Sequence, residues 1–86
     1  MVKMEVFSGD PPCPSCKDVL VLADEYADKY RGRVEVKKYI GEEGMAKFQD
    51  YKMVCVPAVV VNGVIKIEGI CPSRKTMDIA LITGGL

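Results

Sequence analysis

Four cysteines, Cys13, Cys16, Cys55 and Cys71, are the side chains of this sequence best suited to chemistry, and two of them stand close together in Cys13-Pro14-Ser15-Cys16. Two thiols at that spacing can grip a metal, staple a small fold or pass electrons. A closed zinc site wants four ligands, usually as two short-spaced pairs. Only one such pair exists, and the chain has no histidine to complete a mixed site. A disulfide between residues three apart closes too small a loop to restrict the unfolded chain much. The redox reading has positive support. Pro14 suits the first position of a helix, which makes Cys13 its N-cap. A thiolate there meets unpaired backbone N–H groups and the positive end of the helix dipole, so its pKa should fall below that of a free thiol. Cys16, one turn in and on the apolar face, should be buried and less acidic. One sulfur attacks and the other resolves.

Such a pair needs a scaffold. VKMEVF, residues 2–7, alternates as a short strand, and SGDPP breaks it. A helix follows, with Cys16, Val19, Leu20, Ala23, Tyr26, Ala27 and Tyr30 on one face and Gly32 as its stop. RVEVKKYI, residues 33–40, is a second strand, so strand, helix and strand form a right-handed parallel βαβ unit. Residues 42–52 read as a weak helix resting on Met45, Ala46 and Phe48. Val59, Val60 and Val61 form a β-branched run of the kind buried on both faces. Asn62-Gly63 supplies a two-residue type I′ hairpin turn, and residues 64–68 return antiparallel. Pro72 to Thr83 make a last helix, stopped by Gly84-Gly85. The expected class is α/β, in the order βαβαββα, with a four-stranded mixed sheet flanked by helices. A single domain over residues 1–86 is expected.

Composition excludes several functions. Twelve basic and twelve acidic residues cancel, and no Lys/Arg run points to nucleic acid or an anionic membrane. No apolar run approaches the roughly 20 residues of a membrane helix. Lys3 and Glu5 interrupt the apolar N-terminal segment, which argues against a signal peptide. The expected compartment is the cytoplasm, where cysteines more often do redox or metal chemistry than hold structure.

These pieces resemble the thioredoxin superfamily, and in size a small glutaredoxin-like or thioredoxin-like protein. The matching residues are Cys13-Pro14-Ser15-Cys16 after the first strand, Val56-Pro57 opening the third, the Asn62-Gly63 hairpin, and Gly69 before the last helix. The resemblance implies a thioredoxin fold, a cis Val56–Pro57 bond, and a substrate segment pairing with the backbone just before Pro57. Pro14, Ser15, Val56 and Pro57 are then the substrate-contacting residues. A glutathione site carries over poorly. Ser15 stands where glutaredoxins usually have a tyrosine, Asp10-Pro11-Pro12 where a basic residue is usual, and Cys71-Pro72-Ser73 replaces the polar pair at the last helix. Full thioredoxins have a buried acid in the first strand's place, for which this stretch offers only Asp10, in the turn.

Cys71 repeats the Cys-Pro arrangement of Cys13, so its thiol is either acidified in the same way or a half-buried packing residue. Cys55, where the family usually has threonine, is either a small buried residue or a thiol lining the substrate groove. The expected function is a thiol–disulfide oxidoreductase in which Cys13 attacks and Cys16 resolves. It would act as a monomer on protein disulfides, fed by a reductase or a low-molecular-weight thiol, with no cofactor and no metal. The rival is a module holding zinc or an iron–sulfur cluster on Cys13 and Cys16 with Cys71 or a second subunit.

Overall fold

In the computed structural model, which describes residues 1–86, the chain runs through β1 (Val2–Ser8), α1 (Pro14–Lys29) and β2 (Val34–Ile40). A 3-10 turn (Gly41–Gly44) then leads into α2 (Met45–Asp50), and β3 (Ala58–Val61), β4 (Ile65–Glu68) and α3 (Arg74–Thr83) follow. The strands form one mixed sheet in the order β2-β1-β3-β4. β1 pairs parallel with β2, Val2 opposite Val34, and antiparallel with β3, Met4 opposite Val61. β3 and β4 are antiparallel with Val61 opposite Ile65, so Asn62, Gly63 and Val64 join them, one residue more than the expected two-residue turn. Asn62 and Gly63 both have positive φ, as a type I′ turn requires, and the Val64 N–H donates to the Val61 carbonyl at 3.1 Å.

β1 is central and paired along both edges, both of its faces are packed, and its alternation sorts two clusters. Val2, Met4 and Val6 face α1 and α3, meeting Val19, Leu22, Ala23 and Tyr26 of the first helix and Met77, Ala80 and Leu81 of the second. Phe7 points the other way, with Ala58, Val60 and Met53, against Tyr39, Phe48 and Tyr51. All four residues of β3 are buried, as a continuous β-branched run in a two-sided layer should be. The βαβαββα order and the helix-flanked sheet agree with the pattern in the sequence.

Three further details differ. On α1, Leu22 is buried while Leu20 and Tyr30 only flank the core. The expected helix over 42–52 is a 3-10 turn and a helix of six residues, with Met45 and Ala46 exposed. Gly44 explains this, because a Cβ there would lie 2.5 Å from Tyr39 Cβ and 2.9 Å from Phe7 Cδ2. The backbone itself rests on the aromatic floor, so Met45 turns outward. Finally, α3 starts at Arg74, capped by the Ser73 hydroxyl accepting from the Thr76 N–H at 3.2 Å. Pro72 lies outside the helix.

Candidate active site

Cys13 is the N-cap of α1, in extended backbone with φ −71° and ψ 168°, and Pro14 occupies the first helical position. The Cys13 Sγ accepts a hydrogen bond from the Cys16 N–H at 3.1 Å. The cap therefore places sulfur where a helix offers unpaired donors and its positive dipole end. The two sulfurs are joined, with Cα atoms 4.9 Å apart. Cys16 is wholly buried, Cys13 is half-buried, and Pro14 and Ser15 are exposed. One sulfur is reachable and its partner is not.

The other wall comes from the segment before β3. The Val56–Pro57 peptide is cis, as is Asp10–Pro11, to which no sequence signal pointed. Pro57 is buried, and its carbonyl accepts from the Gly69 N–H at 2.8 Å. Val56 is 41 % exposed and approaches the loop that carries Cys13, since a Cβ on Gly9 would sit 3.8 Å from Val56 Cγ2. Beside Val56 lies a cleft of about 300 Å3 lined by Phe7, Tyr39, Met45 and Phe48. Pro14 and Ser15 on one side and Val56 and Pro57 on the other thus belong to two segments that meet at Gly9.

The remaining thiols separate. Cys55 is exposed, which removes the reading of a small buried residue. Cys71 lies between α1 and the start of α3, half-buried on the first core cluster. It is not a helix cap, because the expected start at Pro72 is two residues early. Its thiol is pushed up rather than acidified, by burial first and then by the Asp18 carboxylate. With the Cys13–Cys16 pair oxidised, iodoacetamide should label Cys55 first and Cys71 several-fold more slowly. Peptide mass spectrometry over a time course checks this, and equal rates would contradict the burial assigned to Cys71. No three His, Cys, Asp or Glu side chains converge as ion ligands, so the rival set of Cys13, Cys16 and Cys71 is not assembled within one chain. Asp10 is exposed in its turn, against Gly41.

The sequence reading also missed an acid. Glu5, taken as a polar interruption of β1, is 0 % exposed. Its carboxylate accepts from the Tyr51 hydroxyl at 2.5 Å and from the Tyr39 hydroxyl at 3.2 Å. Both phenols are correspondingly hard to ionise. Tyr51 is pushed up to about 12, chiefly by its bond to Glu5, and Tyr39 is raised by burial and then by the Glu5 charge. A buried carboxylate without partners costs several kcal/mol, so the two hydroxyls are what make it tolerable here. The available signal was a carboxylate in a strand of a sheet expected to be covered by helices on both faces.

A helix-capping cysteine, a buried partner one turn in, and a proline-led strand beside them on a four-stranded mixed sheet define a thioredoxin-fold protein. The family model of the thioredoxin domain matches residues 2–81, and the chain belongs to that family. It is 32% identical over 77 residues to a protein named "Probable Thioredoxin" from Methanothermobacter marburgensis, covering 90% of this chain and 88% of the relative. It is 30% identical over 76 residues to one named "Thioredoxin" from Methanocaldococcus jannaschii, covering 88% and 87%. Among solved structures, one titled "Structure of a malarial protein" superposes with a TM-score of 0.82 over 100% of this chain and 99% of its own. At 11% identity that likeness concerns the fold alone. No helix is long and apolar enough to cross a membrane.

Proposed function

We propose that the protein is a dithiol–disulfide oxidoreductase that reduces or exchanges protein disulfides through Cys13 and Cys16. The thioredoxin family and the thioredoxin-named relatives support a redox role of that type. The observation that carries the finer reading is the Cys13 Sγ at the helix cap, 3.1 Å from the Cys16 N–H, with the Cys16 sulfur fully buried behind it.

In the reduced protein the Cys13 thiol loses its proton to solvent, and the amide donors and dipole stabilise the anion. The thiolate attacks one sulfur of a target disulfide. The target S–S bond breaks, its electron pair leaves on the second target sulfur, and a mixed disulfide with Cys13 forms. Cys16 then gives up its proton and attacks the Cys13 sulfur. The mixed disulfide breaks, the target leaves as a second thiolate, and Cys13–Cys16 is the oxidised product. Two electrons have moved from this chain to the target. A reductase or a low-molecular-weight thiol returns them, and the cycle needs no cofactor. Val56, Pro57, Pro14 and Ser15 would guide the target's extended backbone past Cys13. A single domain acting as a monomer in the cytoplasm is part of the same proposal.

Alkylation of the reduced protein across graded pH tests this. Cys13 should react with a midpoint below the free-thiol value of about 8.5, and insulin with dithiothreitol should precipitate faster in its presence. A Cys13 midpoint no lower than that of free cysteine would remove the basis of the reading.

A further inference from the structure

We propose that Glu5 is a positioning residue for substrate binding: through Tyr51 it fixes the segment that presents Val56 to a protein target. The proposal rests on the dithiol reading above and adds a residue that the reaction itself does not use.

Glu5 does not front the dithiol. Its strand neighbours Met4 and Val6 are the residues that face α1, and Glu5 therefore projects to the opposite side of the sheet, among Phe7, Tyr39 and Tyr51. It also lacks a cation. The chain's three ion pairs, Arg31–Asp28, Lys38–Asp24 and Arg74–Glu25, lie elsewhere and are exposed. What Glu5 holds is two phenols, one at the end of β2 and one at the start of the run Tyr51–Pro57.

That run is fastened at intervals and free at its tip. The Tyr51 hydroxyl reaches Glu5 on the central strand, and the Tyr51 carbonyl accepts from Lys66 Nζ at 2.8 Å. Lys52 follows at φ +55°, left-handed backbone that a non-glycine residue adopts only when its surroundings hold it there. Met53 is buried, its N–H donating to the Phe48 carbonyl at 3.1 Å, and the Val54 N–H donates to Glu68 Oε2 at 3.3 Å. Cys55 and Val56 then emerge exposed. The strained entry at Lys52 lies between the Glu5 tie and the exposed tip, so loss of that tie lets the tip wander. A target that pairs with the tip's backbone would meet the full cost of ordering it.

The test uses Tyr51→Phe, which deletes one oxygen, together with Glu5→Gln, whose amide oxygen can still accept from Tyr51. For Tyr51→Phe, KM for insulin should rise about fivefold with kcat within about twofold, as expected for losing one hydrogen bond's worth of order. The rate with a small aromatic disulfide and the pH profile of Cys13 alkylation should not move, and Glu5→Gln should fall between wild type and Tyr51→Phe in KM. Amide hydrogen exchange at Met53 and Val54 should accelerate in Tyr51→Phe and stay unchanged at the start of α1. An unchanged KM, with or without faster exchange, overturns the proposal. So does a shifted alkylation profile, which would make Glu5 a proton carrier. If the wild-type protein reduces no disulfide at all, the redox reading falls by itself. Unchanged exchange in Tyr51→Phe would separately overturn the clamp.

Discussion

Replacing Cys13 with serine should abolish protein-disulfide reduction, lowering kcat/KM by roughly 10^3-fold or more, while leaving the fold in place. The loss follows from chemistry, because a serine hydroxyl is far too weak an acid to supply the attacking anion. Retention of the fold follows from geometry. Serine is among the preferred N-cap residues, and its oxygen can accept the same Cys16 N–H that Cys13 Sγ accepts at 3.1 Å. The melting temperature should therefore shift by only a few degrees. Cys16→Ser is the informative contrast. It retains the attacking thiol but cannot release the mixed disulfide, so the variant should accumulate as a covalent adduct with its target, visible on a non-reducing gel. It also places a hydroxyl at a site with 0% exposure, so it should be the less stable of the two. A structural metal ligand would behave in the opposite way: removing Cys13 would cost stability along with activity. A Cys13→Ser protein that still reduces insulin would end the redox account.

Much of the scaffold was readable because local chemistry and global fold agree. Asn62-Gly63 demanded positive φ at both positions and has it. The Pro14 signal placed a helix start so that the sulfur of Cys13 became the cap. The misreadings arise where a local signal was ambiguous or the deciding partner lies far along the chain. Cys71-Pro72 resembled Cys13-Pro14, yet Ser73 offers the better cap two residues later, with the Thr76 N–H and hydroxyl both in reach of its oxygen. Two hydroxyls outcompeted a thiol. Glu5 looked like an outward strand residue because its acceptors' partners, Tyr39 and Tyr51, are 34 and 46 positions away. Nothing within β1 marks it as buried. Met45 had helical spacing, but Gly44 brings the backbone too close to Phe7 for the next side chain to turn inward. The close approach of Cys13 and Cys16 was legible from their spacing, whereas the cluster of Glu5 with Tyr39 and Tyr51 was not.

Met4→Ala should be the most damaging simple truncation for stability, and it bears on the layer that carries Cys13 and Cys16. Met4 is 0% exposed on the central strand, opposite Val36 of β2 and Val61 of β3, and it faces the layer of α1 and α3. Removing its side chain strips contacts from three directions, and two paired strands prevent β1 from collapsing into the gap. A loss of about 3 kcal/mol is expected, which for a chain of this size lowers the melting temperature by roughly 12–24 °C. Ile79→Ala removes a branched side chain that is 56% exposed, and it should change stability by less than about 0.5 kcal/mol. Urea unfolding with an unchanged m-value would assign the difference to the folded state. At a temperature where Met4→Ala remains folded, Cys13 should alkylate with the wild-type pH profile, because α1 sets that sulfur's environment through its own backbone. If Met4→Ala instead cost under 1 kcal/mol, β1 would not be the tightly covered strand described. The close packing of α1, which carries Cys13 as its cap and Cys16 in its first turn, against the sheet would then lose its support.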